Sequence, residues 1–221
     1  RNSMSREQGL LREWTPDGPP LAWKVDGLGG GDSAPSVADG RILGMANRGA
    51  DEVVWALSES DGRSLWVTRL GPAFEQSGFP QGKEGPAATP TVDGELVYVM
   101  GLAGNVACLK VRDGALVWQR SLGDDFSAPL PTWSFRESPL VDGDHVILTP
   151  GHPEHFMVAL NAKTGAVVWT TKAKLEGNGH DGTGYTGAVI SNGAGVKQYV
   201  TMVGKGAISV AAKDGKLLWH Y

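Results

Sequence analysis

The sequence predicts an all-β fold, a β-propeller of four-stranded antiparallel blades, and three observations carry the prediction. Trp66, Trp118, Trp169 and Trp219 follow one another at intervals of 52, 51 and 50 residues. Each stands four residues after a glycine: Gly62, Gly114, Gly165 and Gly215. Short apolar runs fill the intervals, punctuated by Asp-Gly and similar turn pairs, in a chain of 221 residues with 32 glycines and 13 prolines. A period of about 50 residues, divided into four strands, is the spacing of propeller blades. Helical periodicity is absent, apart from one short turn expected near Arg6 to Arg12.

The elements follow in order. Residues 1–20 form a leader arm, and residues 21–221 hold the blades. Trp23, in "PLAWKVDGL", matches only the tryptophan end of the repeated phrase, so it marks an extra outer strand from a blade not otherwise represented. The first blade, about 32–70, reads "SAPSVAD", "RILGMA", "EVVWALS" and "SLWVTRL", turning at Asp39-Gly40 and Asp61-Gly62. The second, about 86–122, reads "AATPTVD", "ELVYVM", "NVACLKV" and "ALVWQRSL", turning at Asp93-Gly94 and Asp113-Gly114. The third, about 136–172, turns at Asp142-Gly143 and Thr164-Gly165. The fourth, about 185–221, is looser, with a turn in the Asn192-Gly193 region and another at Asp214-Gly215. Asp-Gly reaches positive φ at little cost, which is what a tight hairpin needs. Middle strands such as "LVYVM" and "HVIL" are apolar throughout, as strands buried on both faces should be.

Composition narrows the function. The net charge of -4 gives no footprint for nucleic acid or a polybasic membrane patch. No run approaches the roughly 18 apolar residues of a membrane span. The single Cys108 excludes an intrachain disulfide and a cysteine-cluster zinc site, and its setting in "NVACLKV" reads as core. The start at Arg1, with no signal peptide, reads as a processed or trimmed end.

Antiparallel strands alternate direction, so connections alternate between the two faces of the disc. Hairpin turns one-to-two and three-to-four share one face. The two-to-three loops and the blade-to-blade crossings share the other, and nearly all the long irregular segments fall there, where binding is expected. Trp133, Arg136 and Glu137 stand just before the third blade's inner strand, and Tyr185 holds the corresponding entry of the fourth. With His180 and Asp181 of "GHDG" they form the candidate binding face, offering stacking, an Arg fork and a carboxylate. The competing reading is a loop anchored by a buried Trp and an Arg–Glu pair. His152, His155 and His180 could hold a metal, but no regular motif fixes their directions, and ordinary loop histidines explain them as well. "GLGGGDS" lacks the helix that a phosphate-cradling loop requires.

The segments Ala56 to Trp66, Cys108 to Trp118, Ala159 to Trp169 and Ser209 to Trp219 share one pattern. A small residue opens each, a glycine stands four before the tryptophan, and an aliphatic residue precedes it. The pattern resembles the tryptophan-docking motif of the pyrroloquinoline-quinone (PQQ) type propeller repeat, A-x-D-x-x-T-G-K-x-x-W. "ALNAKTGAVVW" comes closest, although Ser58, Lys110, Asn161 and Ala211 replace the motif's Asp. The resemblance covers Leu21 to Tyr221 and implies that Trp23, Trp66, Trp118, Trp169 and Trp219 dock on neighbouring blades. The opening "RNSMSREQGLLREWTPDGPPLAW" also resembles secreted, uncharacterised bacterial PQQ-like propeller proteins.

The family includes quinoprotein dehydrogenases and non-catalytic scaffolds. The scaffold reading implies a binding module for a protein, peptide or glycan, at a periplasmic or extracellular address. The dehydrogenase alternative implies PQQ with Ca²⁺, a lid and a carboxylate base, completed by blades outside this chain. A vicinal-disulfide lid is impossible with one cysteine, and Asp124-Asp125 could bind a cation, although paired acids at a strand end are more often solvated. No catalytic, cofactor or metal residue is assigned. Four blades plus one outer strand read as half of a larger propeller, or as a ring that self-association would complete.

Overall fold

The computed structural model describes residues 8–74, 85–177 and 182–221. Among these residues, sixteen strands form four separate antiparallel sheets, each four-stranded and connected in sequence order. The first blade comprises β1 (Ser36–Ala38), β2 (Arg41–Arg48), β3 (Asp51–Ser58) and β4 (Ser64–Pro72). The second comprises β5 (Thr91–Asp93), β6 (Leu96–Met100), β7 (Asn105–Lys110) and β8 (Leu116–Ser121). The third comprises β9 (Leu140–Asp142), β10 (His145–Leu148), β11 (Val158–Asn161) and β12 (Val167–Thr170). The fourth comprises β13 (Val189–Gly193), β14 (Val196–Val203), β15 (Gly206–Ala211) and β16 (Leu217–His220).

The core lies between blades, and strand alternation builds it. Successive side chains on β6 point opposite ways. Val97 and Val99 therefore join Leu43, Val54 and Leu70 of the first blade. Tyr98 and Met100 join Val146, Leu148 and Leu160 of the third. Likewise β10 sends Ile147 towards Tyr199, Ile208 and Val210 of the fourth blade. That two-sided burial is why these strands read as unbroken apolar runs. On the first blade's other side, Val25 and Leu28 of the N-terminal segment cover Ala46, Val53, Trp55 and Leu57. This segment is tied to the sheet by a bridge between Gly30 and Asn47.

The turns refine the expected positions. Asp39 and Gly40 both take positive φ (50° and 66°) in the first hairpin. In the next two blades the two-residue loops sit one place later, at Gly94-Glu95 and Gly143-Asp144, because Asp93 and Asp142 still pair with Leu96 and His145. In the fourth blade Asn192 and Gly193 remain in strand β13, and the turn is Ala194-Gly195. The three-to-four turns are wider than an Asp-Gly hairpin. Gly62, Gly114, Gly165 and Gly215 each donate their N–H to the carbonyl four residues back.

Each of those glycines has φ near 70°, and a side chain there would strike the preceding blade's tryptophan. A Cβ on Gly165 would lie 2.8 Å from Trp118. Glycine is thus required twice over, by conformation and by contact.

Two local features differ from expectation. A single-turn helix, α1 (Leu122–Phe126), follows β8, with Ser121 Oγ accepting from Asp124 N and Asp125 accepting from Ser121 N. Asp124 and Asp125 therefore serve a reciprocal helix cap, where negative charge is favoured. No helical turn forms over residues 8–12 of the leader, whose Leu10, Leu11 and Trp14 are exposed.

Candidate functional site

The repeated phrase becomes a repeated set of contacts. Trp23, Trp66 and Trp118 donate their indole N–H to Glu59 O (3.0 Å), Val111 O (3.0 Å) and Ala162 O (2.8 Å). Each acceptor stands three residues before the glycine under the ring. Two residues after three of the tryptophans, a side chain donates to that same glycine's carbonyl: Thr68 to Gly114 (2.7 Å), Arg120 to Gly165 (2.8 Å) and Thr171 to Gly215 (2.7 Å). A β-bulge also recurs, because Trp66, Trp118, Trp169 and Trp219 pair with Ala56, Cys108, Ala159 and Ser209 while the residue before each tryptophan is skipped. The small residue opening the phrase thus leaves room for the indole opposite it. Trp219 has no following blade among the described residues. It is 42% exposed and turns its N–H to Gln198 of its own sheet (3.1 Å).

The third crossing is held by Phe135 rather than Trp133. Phe135 is buried beside Leu122, and its N–H donates to Leu102 O (3.0 Å). Trp133 is 49% exposed, so the anchor expected of it belongs to its neighbour. Arg136 does not pair with Glu137. Its Nε donates to Trp133 O (2.6 Å), and its Nη1 lies 3.6 Å from Asp32, at the entry to the first blade. Trp133 N donates to the hydroxyl of Tyr185 (3.2 Å), which joins the third and fourth entries. Three of the candidate residues therefore come together, and Asp32 joins them unforeseen.

Glu137 is a correction. It is 2% exposed, and its carboxylate accepts from Thr149 N (2.6 Å), so it offers nothing to a ligand on the surface. Burial pushes its carboxyl up to about 7, against the opposing pull of Thr149's backbone and hydroxyl. Glu52, equally buried, accepts from Leu102 N (3.2 Å) and is likewise raised by burial. His180 and Asp181 lie outside the described residues.

Beside Trp133 and Tyr185 a cleft of about 520 Å³ opens between the third and fourth blades. Pro129 to Thr132 form one wall, Gly182 to Thr186 the other, and Met202 to Gly204 the end. Among the described residues, no Asp, Glu, Lys, Arg or His lines it. Leu130, Trp133, Tyr185 and Met202, at or beside its rim, are all exposed. Sequence reasoning missed Leu130 and Met202, because single apolar residues in loops carry no pattern.

His152 and His155 stack with ring centroids 6.1 Å apart, and His155 packs edge-on against Phe126. His152 Nδ1 accepts from Glu154 N, and Glu154 pairs with Lys172. No group of three metal-ligating side chains converges among the described residues. Those residues also do not fit a quinone with Ca²⁺. Glu137, the carboxylate expected at the crossing entry, is turned into Thr149, and Arg136 is engaged with Trp133 and Asp32. Cys108 is buried core, its thiol pushed up to about 12 by burial.

Repeat, blade and tryptophan contacts together define a β-propeller of the PQQ-like class. The family described as outer membrane protein assembly factor BamB matches over residues 4–130 and 128–221, and the chain belongs to it. The BamB of Salmonella typhimurium (strain LT2) is 28% identical over 142 residues, which is 63% of this chain and 31% of that protein. The chain thus spans about a third of the length of the curated relatives it matches. The crystal structure of BamB from Moraxella catarrhalis superposes with a TM-score of 0.53 at 18% identity, covering 90% of this chain and 63% of that one. A quinohemoprotein alcohol dehydrogenase from Pseudomonas putida HK5 gives 0.57 at 20% identity, covering 91% and 36%. At such identities the two structures share the fold.

Proposed function

We propose that the chain is a non-catalytic binding module that holds a protein partner on its crossing face, outside the cytoplasm. The observation that carries this reading is the cleft between the third and fourth blades, rimmed by exposed Trp133 and Tyr185 and uncharged along its described walls. Aromatic residues that keep their apolar faces in water are typical anchors of protein interfaces. Membership of a family described as an outer membrane protein assembly factor supports a protein partner and a periplasmic address. The tryptophans and their glycines serve as the docking that keeps the crossings in register, so they are structural rather than ligand-binding.

Photocrosslinking tests the reading. A benzophenone amino acid at Trp133 or Tyr185, in the full-length protein in its own cells, is expected to give discrete protein adducts. The same probe at Lys163, on the hairpin face, should give none. Equal adducts from both faces, or none from the crossing face, would refute the proposal.

A further inference from the structure

Glu137 has a geometry that the binding reading leaves unused. It is fully enclosed at the root of the crossing that carries Trp133 and Arg136, and it is bonded to Thr149 at the end of β10. We propose that Glu137 is a proton-operated clasp: protonated, it holds the crossing's root against Thr149, and ionised, it lets that root open to water.

The enclosure supplies the reason. A carboxylate removed from water is stabilised only by donors or a cation nearby. Thr149 provides one hydrogen bond, from its backbone N–H (2.6 Å), while its hydroxyl is buried without a hydrogen-bond partner. Among the described residues, the charged and titratable groups on the surrounding elements are turned elsewhere. Arg136 serves Trp133 O and Asp32, and Tyr185 accepts from Trp133. On the loop after Thr149, Glu154 pairs with Lys172, while His152 and His155 stack on one another. Burial and Thr149 are the influences on Glu137, and burial is the larger.

The sign follows. The carboxyl titrates near 4.5 when unfolded and about 7 when folded, so its contribution to stability is complete below 4.5 and lost as pH rises through 7. That interval caps the loss at roughly 300-fold in the local closing equilibrium. An aqueous compartment that follows external pH would tune the clasp, and its effect on a partner rests on the function proposed above.

Hydrogen exchange of the whole chain, corrected for intrinsic rate, tests the clasp without any partner. Between pH 5.5 and 8, protection of peptides spanning residues 130–139 and 146–151 should fall at least tenfold. In Glu137→Gln, a neutral isostere, protection should stay high throughout, and in Glu52→Gln the original pH dependence should persist. Infrared spectroscopy gives a reading that needs no variant to fold: a buried carboxylic-acid C=O band should persist at pH 6 and vanish by pH 8. A pH-independent wild type, or a Glu137→Gln profile that tracks it, would overturn the clasp. Should the clasp hold while crosslinking at Trp133 gives nothing at any pH, the binding reading fails and the clasp stands.

Discussion

The junction between the second and third blades and that between the third and fourth use the same parts with different completeness. At the former, Trp118 donates to Ala162 O, Arg120 donates to Gly165 O and Tyr98 adds its hydroxyl to Ala162 O (3.2 Å). Along the inner strands Thr91 Oγ1 donates to Pro139 O (2.7 Å), and Ser138 Oγ accepts from Thr89 N (3.0 Å). At the latter, the buried Trp169 Nε1 has no partner. Leu140 stands where Thr91 stands one blade earlier, without a hydroxyl to donate. The junction is instead clamped at the hairpin end of β9, where Asp142 accepts from Lys197 (2.7 Å) and from Tyr199 (2.7 Å). Both the 520 Å³ cleft and a smaller one of about 300 Å³ against the inner strands open here. A junction clamped at the hairpin end of its inner strand but unlatched further along it leaves room between its crossings. The cleft is thus placed by a missing latch as much as by the residues around it.

The largest expected effect sits at the complete junction. Trp118→Ala should cost about 3–5 kcal/mol in chemical denaturation, as for a buried aromatic deleted from a close-packed site. A cost below about 1 kcal/mol would show that the two junctions are equally loose. Asp142→Asn comes next, with about 1–3 kcal/mol lost, because two donors surrender a charged acceptor. Burial alone would raise Asp142, but hydrogen bonds from Lys197 and Tyr199 outweigh it and hold the carboxyl below its usual range. The clamp therefore contributes above the ordinary carboxyl value and is lost as pH falls through the lower folded one. The wild-type protein should lose stability in that acid range more steeply than Asp142→Asn, opposite in sign to the trend set by Glu137.

A sharper comparison substitutes phenylalanine at both tryptophans. Both lose similar ring volume, but only Trp118→Phe removes a hydrogen bond, leaving Ala162 O with Tyr98 alone, so it should cost about 1 kcal/mol more than Trp169→Phe. Equal costs would mean that the orphaned N–H of Trp169 finds water. The smallest effect is Thr91→Val, about 0.5–1.5 kcal/mol for one inner-strand latch, read as a shift in the denaturation midpoint.

The sequence made the blades legible because their information is local and repeated. The Gly62–Trp66 spacing recurs four times, and each copy fixes a turn, a bulge and a contact at once. Turn positions slipped by a residue or two where Asp93, Asp142 and Asn192 stay in their strands, since turn chemistry alone does not set strand register. The site was half legible. Trp133, Arg136 and Tyr185 were placed by their position at the strand entries, and they do meet. Their partners were not readable, because Asp32 lies 104 residues before Arg136. The swap of roles between Trp133 and Phe135 depends on which of two nearby aromatics finds Gly104 beneath it, a contact that only folding reveals.

The inter-blade ties have one further consequence. Each joins an outer strand to the next blade's final turn, some 44–46 residues ahead, and so brackets the whole crossing between them. With both ends pinned, the entropy of closing the bracketed loop grows only logarithmically, by roughly 0.6 kcal/mol for each doubling in length. The crossings can therefore lengthen, shorten and change composition at little thermodynamic penalty, while the hairpin face stays locked to its glycines. New loops can evolve on one side of the disc without renegotiating the architecture that carries them.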